Sequence, residues 1–202
     1  MLYFSKELLM KAPYKRNEVL GEYTVPGTYT LELKTSGVYI VEAVSGGAAG
    51  TQWDWYNYWG TSRQFGIKRG ATGAYFKGLV RLSKGSHTII VANINGGSTS
   101  IDNGFIMSGG ENSTPGNEGT HPGGSITSSS YIVSDDSNIY NEGYPSYYHY
   151  VYQVNPSGNI LPAISAPVPE NLSSYGFGGA GGFYPATNNG GSGYLKISYK
   201  GR

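Results

Sequence analysis

"TYTLELKTSGVYIVEAVSGGAAG", residues 28–50, decides how the chain is read. Its first part alternates. Tyr29, Leu31 and Leu33 fall on one side, and Thr28, Thr30, Glu32 and Lys34 on the other, the pattern of a half-buried strand. "TSG" (35–37) is a turn signal. "VYIVEAV" (38–44) is apolar in both phases except at Glu42, so it reads as a central strand. Read as neighbours, the two runs form a hairpin. Then the character changes abruptly, to "SGGAAG" (45–50).

The same grammar recurs along the chain. "AYFKGLVRL" (74–82), the turn "SKG" (83–85) and "SHTIIVANI" (86–94) read as a second hairpin, and "GYLKISY" (193–199) as a closing strand. Short strand candidates lie at "GFIMS" (104–108) and "YIVS" (131–134). Only "SKELLMK" (5–11) suggests helix, one or two turns capped by Ser5 and ended by Pro13. Residues 109–130 and 135–190 read as long loops, of the kind that carry function or are disordered. The organisation expected is an N-terminal arm over 1–20. A sandwich domain follows over 21–202, with inserted loops at about 98–190.

Composition narrows the functional classes. Charged residues are 13% of the 202, and the formal net charge is +1. A duplex-DNA binder needs a basic face, so nucleic acid is not an expected partner. There is no cysteine, which removes disulfides, thiolate catalysis and cysteine-ligated metal. No apolar run approaches the roughly 18 residues of a membrane span, and charges at Lys6, Glu7 and Lys11 interrupt any signal-peptide core. No membrane insertion is expected.

Glycine is abundant, with 32 residues, and clusters directly after strands: "SGGAAG" (45–50), "NGG", "SGG" (108–110), "GFGGAGG" (176–182) and "NNGGSG" (188–193). These clusters suit tight turns or extended polyproline II-like segments that approach one another closely.

"YTVPGTYTLELKTSGVYIVEAVSGGAAG", "GATGAYFKGLVRLSKGSHTIIVANINGG" and "GGSGYLKISY" together resemble the glycine-rich domain of phage tail-fibre and tail-tip proteins. A similar pattern occurs in the glycine-rich extracellular domain of the anaplastic lymphoma kinase family. The resemblance covers roughly residues 21–97 and 176–199. It implies an all-β, jelly-roll or tumour-necrosis-factor-like sandwich with polyglycine II segments beside it. It also implies a trimeric, adhesin-like role at the tip of a virion. The chain departs from that pattern with "GGAAG" in place of a longer glycine run, which argues against an extensive lattice of glycine helices.

Motifs for chemistry are sparse. "GFGGAG" (176–181) has the spacing of a dinucleotide loop but neither the preceding strand nor the following helix, so structural glycine is the reading. His87 falls in a strand, while His121 and His149 fall in loops and are expected to be solvated; no converging ligand set suggests a metal. "SDDSNIYNE" (134–142) is oxygen-rich but lacks calcium-loop spacing and reads as a polar turn. No G-x-S-x-G elbow occurs, and no carboxylate pair is evident for glycoside hydrolysis. No cofactor and no enzymatic activity are expected; a polysaccharide-cleaving enzyme is the least favoured alternative.

What stands out is "TQWDWYNYWG" (51–60), which holds all three tryptophans. As a strand it puts Trp53, Trp55, Asn57 and Trp59 on one face and Asp54, Tyr56 and Tyr58 on the other. Rigid rings with polar handles suit contact surfaces. A second cluster, "YPSYYHYVY" (144–152), adds Tyr147, Tyr148, His149 and Tyr150, and two such loops could converge at one end of a sandwich. The expected function is recognition of a bacterial surface receptor, by preference a glycan, from a virion tail. The partners would be that receptor, other tail proteins and two further copies in a homotrimer. The alternative is a structural virion protein whose rings meet other subunits.

Overall fold

The computed structural model describes residues 13–50, 54–58, 62–112, 120–152, 159–182 and 189–201, with 54–58, 62–67, 148–152, 159–161 and 181–182 described by backbone path and pairing. The alternating runs fold into a sandwich of two five-stranded antiparallel sheets. Sheet one runs β1 (Val19–Tyr23), β15 (Tyr194–Gly201), β3 (Gly37–Val44), β6 (Tyr75–Leu82), β11 (Ile139–Asn141). Sheet two runs β10 (Ile126–Ser128), β9 (Phe105–Met107), β8 (Thr99–Ile101), β7 (Gly85–Val91), β2 (Gly27–Leu33). The candidate helix at 5–11 lies outside the described residues. "YIVS" contributes only an isolated bridge, Ile132 to Val80.

The alternation seen in the sequence becomes the core. Leu31, Leu33, Ile89, Val91, Ile101, Phe105 and Met107 come from sheet two. Tyr39, Val41, Phe76, Val80, Leu82, Leu195 and Ile197 come from sheet one, all buried in one cluster. Phe76 and Phe105 meet across the layers at 5.1 Å between ring centroids. This is the interdigitation that joins two aligned sheets.

Both expected hairpins are overturned. β2 pairs with β7, and β3 pairs with β6 and β15. The turns at 34–36 and 83–84 therefore carry the chain from one sheet to the other. Each strand has an apolar face, and consecutive strands satisfy it by facing each other across the core rather than lying side by side. The two crossings travel together, tied by the Lys84 amide donating to Ser36 Oγ at 2.8 Å. The result is a single long antiparallel ribbon bent across both layers. Gly27 lies opposite Val91 and Leu33 opposite Gly85. Past the bend, Gly37 lies opposite Leu82 and Val44 opposite Tyr75.

The ribbon does not stop where the strands do. The Ser45 amide donates to Ala74 O and the Ala48 amide to Ala71 O. Between them, Gly46 donates to Gly97 O and Gly47 to Gly191 O. Residues 45 and 48 thus face one neighbour, 46 a second and 47 a third, which is a threefold backbone repeat. The neighbouring segment repeats it: Gly70 donates to Gly179 O and Gly73 to Gly176 O, while Thr72 donates to Tyr144 O. Segments 45–50, 70–74, 96–97, 109–110, 123–124, 176–179 and 190–193 are joined in this way. The expectation of a limited lattice is therefore corrected: "GGAAG" sits at the centre of an extensive one.

Glycine is required here by close approach of backbones. A Cβ on Gly46 would stand 2.6 Å from the Asn93 carbonyl oxygen; on Gly47, Gly70 or Gly178 it would be closer still to those of Phe177, Ala48 and Gly70. Ala48 and Ala71 are themselves fully buried, so the alanines occupy the positions that leave room for a methyl. The glycine motif at 176–181 belongs to this lattice.

At the opposite end, Tyr14, Tyr39 and Tyr199 cluster, with Tyr199 centred 5.4 Å from Tyr14 and 5.6 Å from Tyr39. The Tyr14 hydroxyl accepts from the Lys34 amide at 2.7 Å, and the Tyr39 hydroxyl donates to Thr35 O. His87 is a buried strand residue whose ring nitrogens meet Asp102 Oδ2 at 2.7 Å and Ser83 O at 2.9 Å.

Gly47→Ala and Gly70→Ala should each destabilise the fold by about 2–3 kcal/mol, because neither neighbouring carbonyl can move aside. Gly37→Ala meets only ordinary contact, at 3.6 Å from the Tyr199 ring. It should be neutral or stabilising by up to about 1 kcal/mol. Urea midpoints measure both. Burial first, then Tyr14 and Tyr199, push the Tyr39 phenol up to about 12. An unfolded tyrosine ionises near 10. The native state therefore keeps a proton that the unfolded chain gives up, and stability is whole below about pH 10 and falls as pH rises through about 12. Urea midpoints across that range should decline less steeply in Tyr39→Phe than in the wild type.

Candidate functional site

Beyond the lattice the ribbon re-forms as a sheet. β4 (Asp54–Tyr58) pairs with β5 (Ser62–Lys68), and β5 with β12 (Tyr148–Tyr152). The chain from 27 to 91 is thus one long hairpin: the sandwich is its base, the glycine lattice its neck, and β4–β5 its tip.

β12 reaches the tip along the same ribbon. Ile139 lies opposite Lys77 and Asn141 opposite Tyr75. The Thr72 amide then donates to Tyr144 O, and the Tyr144 amide to Thr72 Oγ1 at 2.6 Å. Tyr148 follows opposite Lys68, and Tyr152 opposite Gln64. The partner advances one residue for each residue throughout, so segment 139–152 shadows segment 64–77 from sandwich to tip. The distal order β4-β5-β12 continues the proximal order β3-β6-β11.

The expected convergence of the two aromatic clusters therefore occurs, but as strands joined through β5 rather than as loops. Register sorts the residues. Trp55, Phe65 and Val151 form one cross-sheet row; Tyr56, Gln64 and Tyr152 form the next. Strand alternation then gives two unlike faces. One face carries Trp55, Asn57, Arg63, Phe65, Ile67, His149 and Val151. The other carries Tyr56, Tyr58, Tyr148, Tyr150 and Tyr152 with Asp54, Ser62 and Gln64. The candidate residues are thus divided between two faces, so no single flat ligand meets all of them. Trp53 and Trp59 lie outside the described residues. Tyr147, immediately before β12, is 58% exposed.

The base of this sheet is held firmly. Lys68, at the end of β5, is fully buried, and Gly70 two residues later donates to Gly179 O. A short ribbon of β13 (Asn159–Leu161) and β14 (Gly181–Gly182) lies alongside β5. His121 and Ser146 form a backbone bridge next to the root of β12. His121 is buried, which corrects the expectation that it is solvated: the bridge draws it in, with Nδ1 3.8 Å from the Glu111 carboxylate.

A groove of 670 Å³ opens beside β11 of the sandwich, over Tyr75 and between residues 139–144 and 167–169. Burial, a hydrogen bond to Glu42 at 2.9 Å and that carboxylate's charge raise the Tyr75 phenol above the ordinary tyrosine range. Tyr194 is raised likewise by burial and by its bond to Glu22. Sequence reasoning did not find this groove, because its walls come from separate segments. The one available signal was the aromatic content of 140–144. The oxygen-rich turn behaves as a turn: Asp135 accepts from the Ser137 amide at 2.9 Å, and its carboxyl is held below the usual range chiefly by bonds from Ser137.

Among the described residues no helix is long and apolar enough to cross a membrane. No family model matches the chain, and no curated protein is a significant match to it.

Because β5 is paired on both sides, Phe65→Pro should dissolve the distal sheet while sparing the sandwich. Amide exchange in β4, β5 and β12 should accelerate toward unprotected rates, with the unfolding free energy of the sandwich changing by less than about 1 kcal/mol.

Proposed function

We propose that the chain is a non-enzymatic adhesin that binds a bacterial surface glycan through the tyrosine face of the distal sheet, as part of a virion tail. The observation that carries this reading is the register of β4, β5 and β12. It gathers two aromatic runs about ninety residues apart into one small sheet at the end of a hydrogen-bonded neck. Phenols offer a ring to the apolar face of a sugar and a hydroxyl that both donates and accepts. Asp54 and Gln64 share that face and can hold sugar hydroxyls. The resemblance of residues 21–97 and 176–199 to phage tail glycine-rich domains supports the virion setting and a homotrimer.

The opposite face, with Trp55, Phe65, Ile67 and Val151, has the composition of a surface covered by protein. It favours the second reading, in which the tip serves contacts with neighbouring subunits. The two readings separate by mutation. Adhesion predicts that Tyr56→Ala and Tyr150→Ala each weaken binding to purified host polysaccharide about tenfold, with oligomeric state unchanged. Trp55→Ala should instead disturb assembly. Wild-type protein that leaves every host polysaccharide unbound, with the tyrosine variants failing to assemble, would establish the structural reading.

A further inference from the structure

The 670 Å³ groove borders β11, at the proximal end of the segment 139–152 that leads to β12, and its size falls within the range of small-molecule sites, roughly 300–1,000 Å³. Resting on the glycan reading, we infer that this groove is a second saccharide site, taking an uncharged oligosaccharide. Its chemistry is specific. Tyr144 is 51% exposed, so it offers part of its ring to solvent. Pro167 and Pro169 form the facing wall. The Asn141 side chain joins the walls by donating from Nδ2 to Pro167 O at 2.9 Å, which leaves its Oδ1 as an acceptor. The Tyr140 hydroxyl is turned away from the groove, accepting from the Ile126 amide of sheet two at 3.0 Å, so the polar groups left in the groove are acceptors. Glu142 supplies a carboxylate.

Among the described residues no lysine or arginine lines the groove, so an acidic polysaccharide would bring a negative charge to a carboxylate without a described cation beside it. A proline-rich peptide suits aromatic walls, but its backbone offers mainly acceptors, and Glu142 and Asn141 Oδ1 are acceptors too. Sugar hydroxyls can donate to both. Among these ligands, the uncharged sugar satisfies the acceptors that line the groove.

The test uses the full chain on an array of uncharged and uronic-acid oligosaccharides, with a proline-rich decapeptide as competitor. Variants are Tyr144→Ala and Glu142→Lys in the groove, Tyr150→Ala at the tip, and the Tyr144→Ala/Tyr150→Ala pair, each first shown to melt as wild type does. The inference expects Tyr150→Ala to keep residual binding to uncharged oligosaccharides, and the paired variant to lose it by a further factor of about ten. Residual binding that survives in the paired variant, binding confined to acidic sugars, or displacement by the peptide would overturn it. If Tyr150→Ala removes all binding and Tyr144→Ala none, the tip reading stands and the groove falls. If Tyr144→Ala and Glu142→Lys weaken binding and Tyr150→Ala does not, the groove stands and the tip falls. A wild type that binds no sugar overturns both.

Discussion

Direct contact between bare backbones is the constraint on which the molecule depends. Segment 45–48 donates in turn to three different neighbours, and that is possible only where no side chain stands between the chains. Ordering so many glycines is entropically costly, since each loses more freedom on folding than any other residue. The cost is offset by saturation: nearly every amide named in the lattice has a carbonyl partner inside it. Buried backbone groups are otherwise expensive to leave unpaired. Among the described residues the neck thus holds together by hydrogen bonding and close packing rather than by large aliphatic side chains.

This constraint transmits register. Segment 139–152 stays in step with 64–77 through strand, glycine zone and strand again. A flexible linker would have lost that correspondence. The distal sheet is therefore an extension of sheet one rather than a loop resting on it, and its rows are set by pairings made in the sandwich. A site ordered before binding forfeits less entropy when a ligand arrives.

Much of the sandwich was legible, because period-two alternation reports burial directly. Tyr29, Leu31 and Leu33 announced β2, and Phe76, Val80 and Leu82 announced β6. Which strand each would pair with was not legible. A short turn such as "TSG" serves a hairpin and a sheet-to-sheet crossing equally well, and the choice is made by the core, where Leu31 and Val41 join one cluster from opposite layers. The extent of the lattice was hidden for a related reason. Its repeat is written in who bonds whom, and Ala48 and Ala71 look like interruptions until their neighbours are known. At the site, the aromatic runs were plain, but β5 was not. "SRQFGIK" is only weakly alternating, and it acquires meaning as the strand both clusters need. His121 was misjudged because its burial comes from Ser146, a residue distant in sequence. The groove was invisible because Asn141 and Pro167 meet only in the fold.

The two faces of the distal sheet bear on what such a tip is for. Trp55, Phe65, Ile67 and Val151 fall in one strand phase and the tyrosines in the other; large apolar patches, where a surface carries them, mark contact sites. A tyrosine face carries no comparable penalty, because each ring brings a hydroxyl that water can satisfy. A sheet built for subunit contact alone has little reason to differ so much between its sides. A sheet built only for a receptor has little reason to keep Phe65, Ile67 and Val151 together. The register puts them together at successive positions, opposite the tyrosine phase. Under the proposed function, this division would let one phase meet protein and the other meet hydroxyl-rich ligands, so that assembly and adhesion would draw on the same three strands without competing for the same residues.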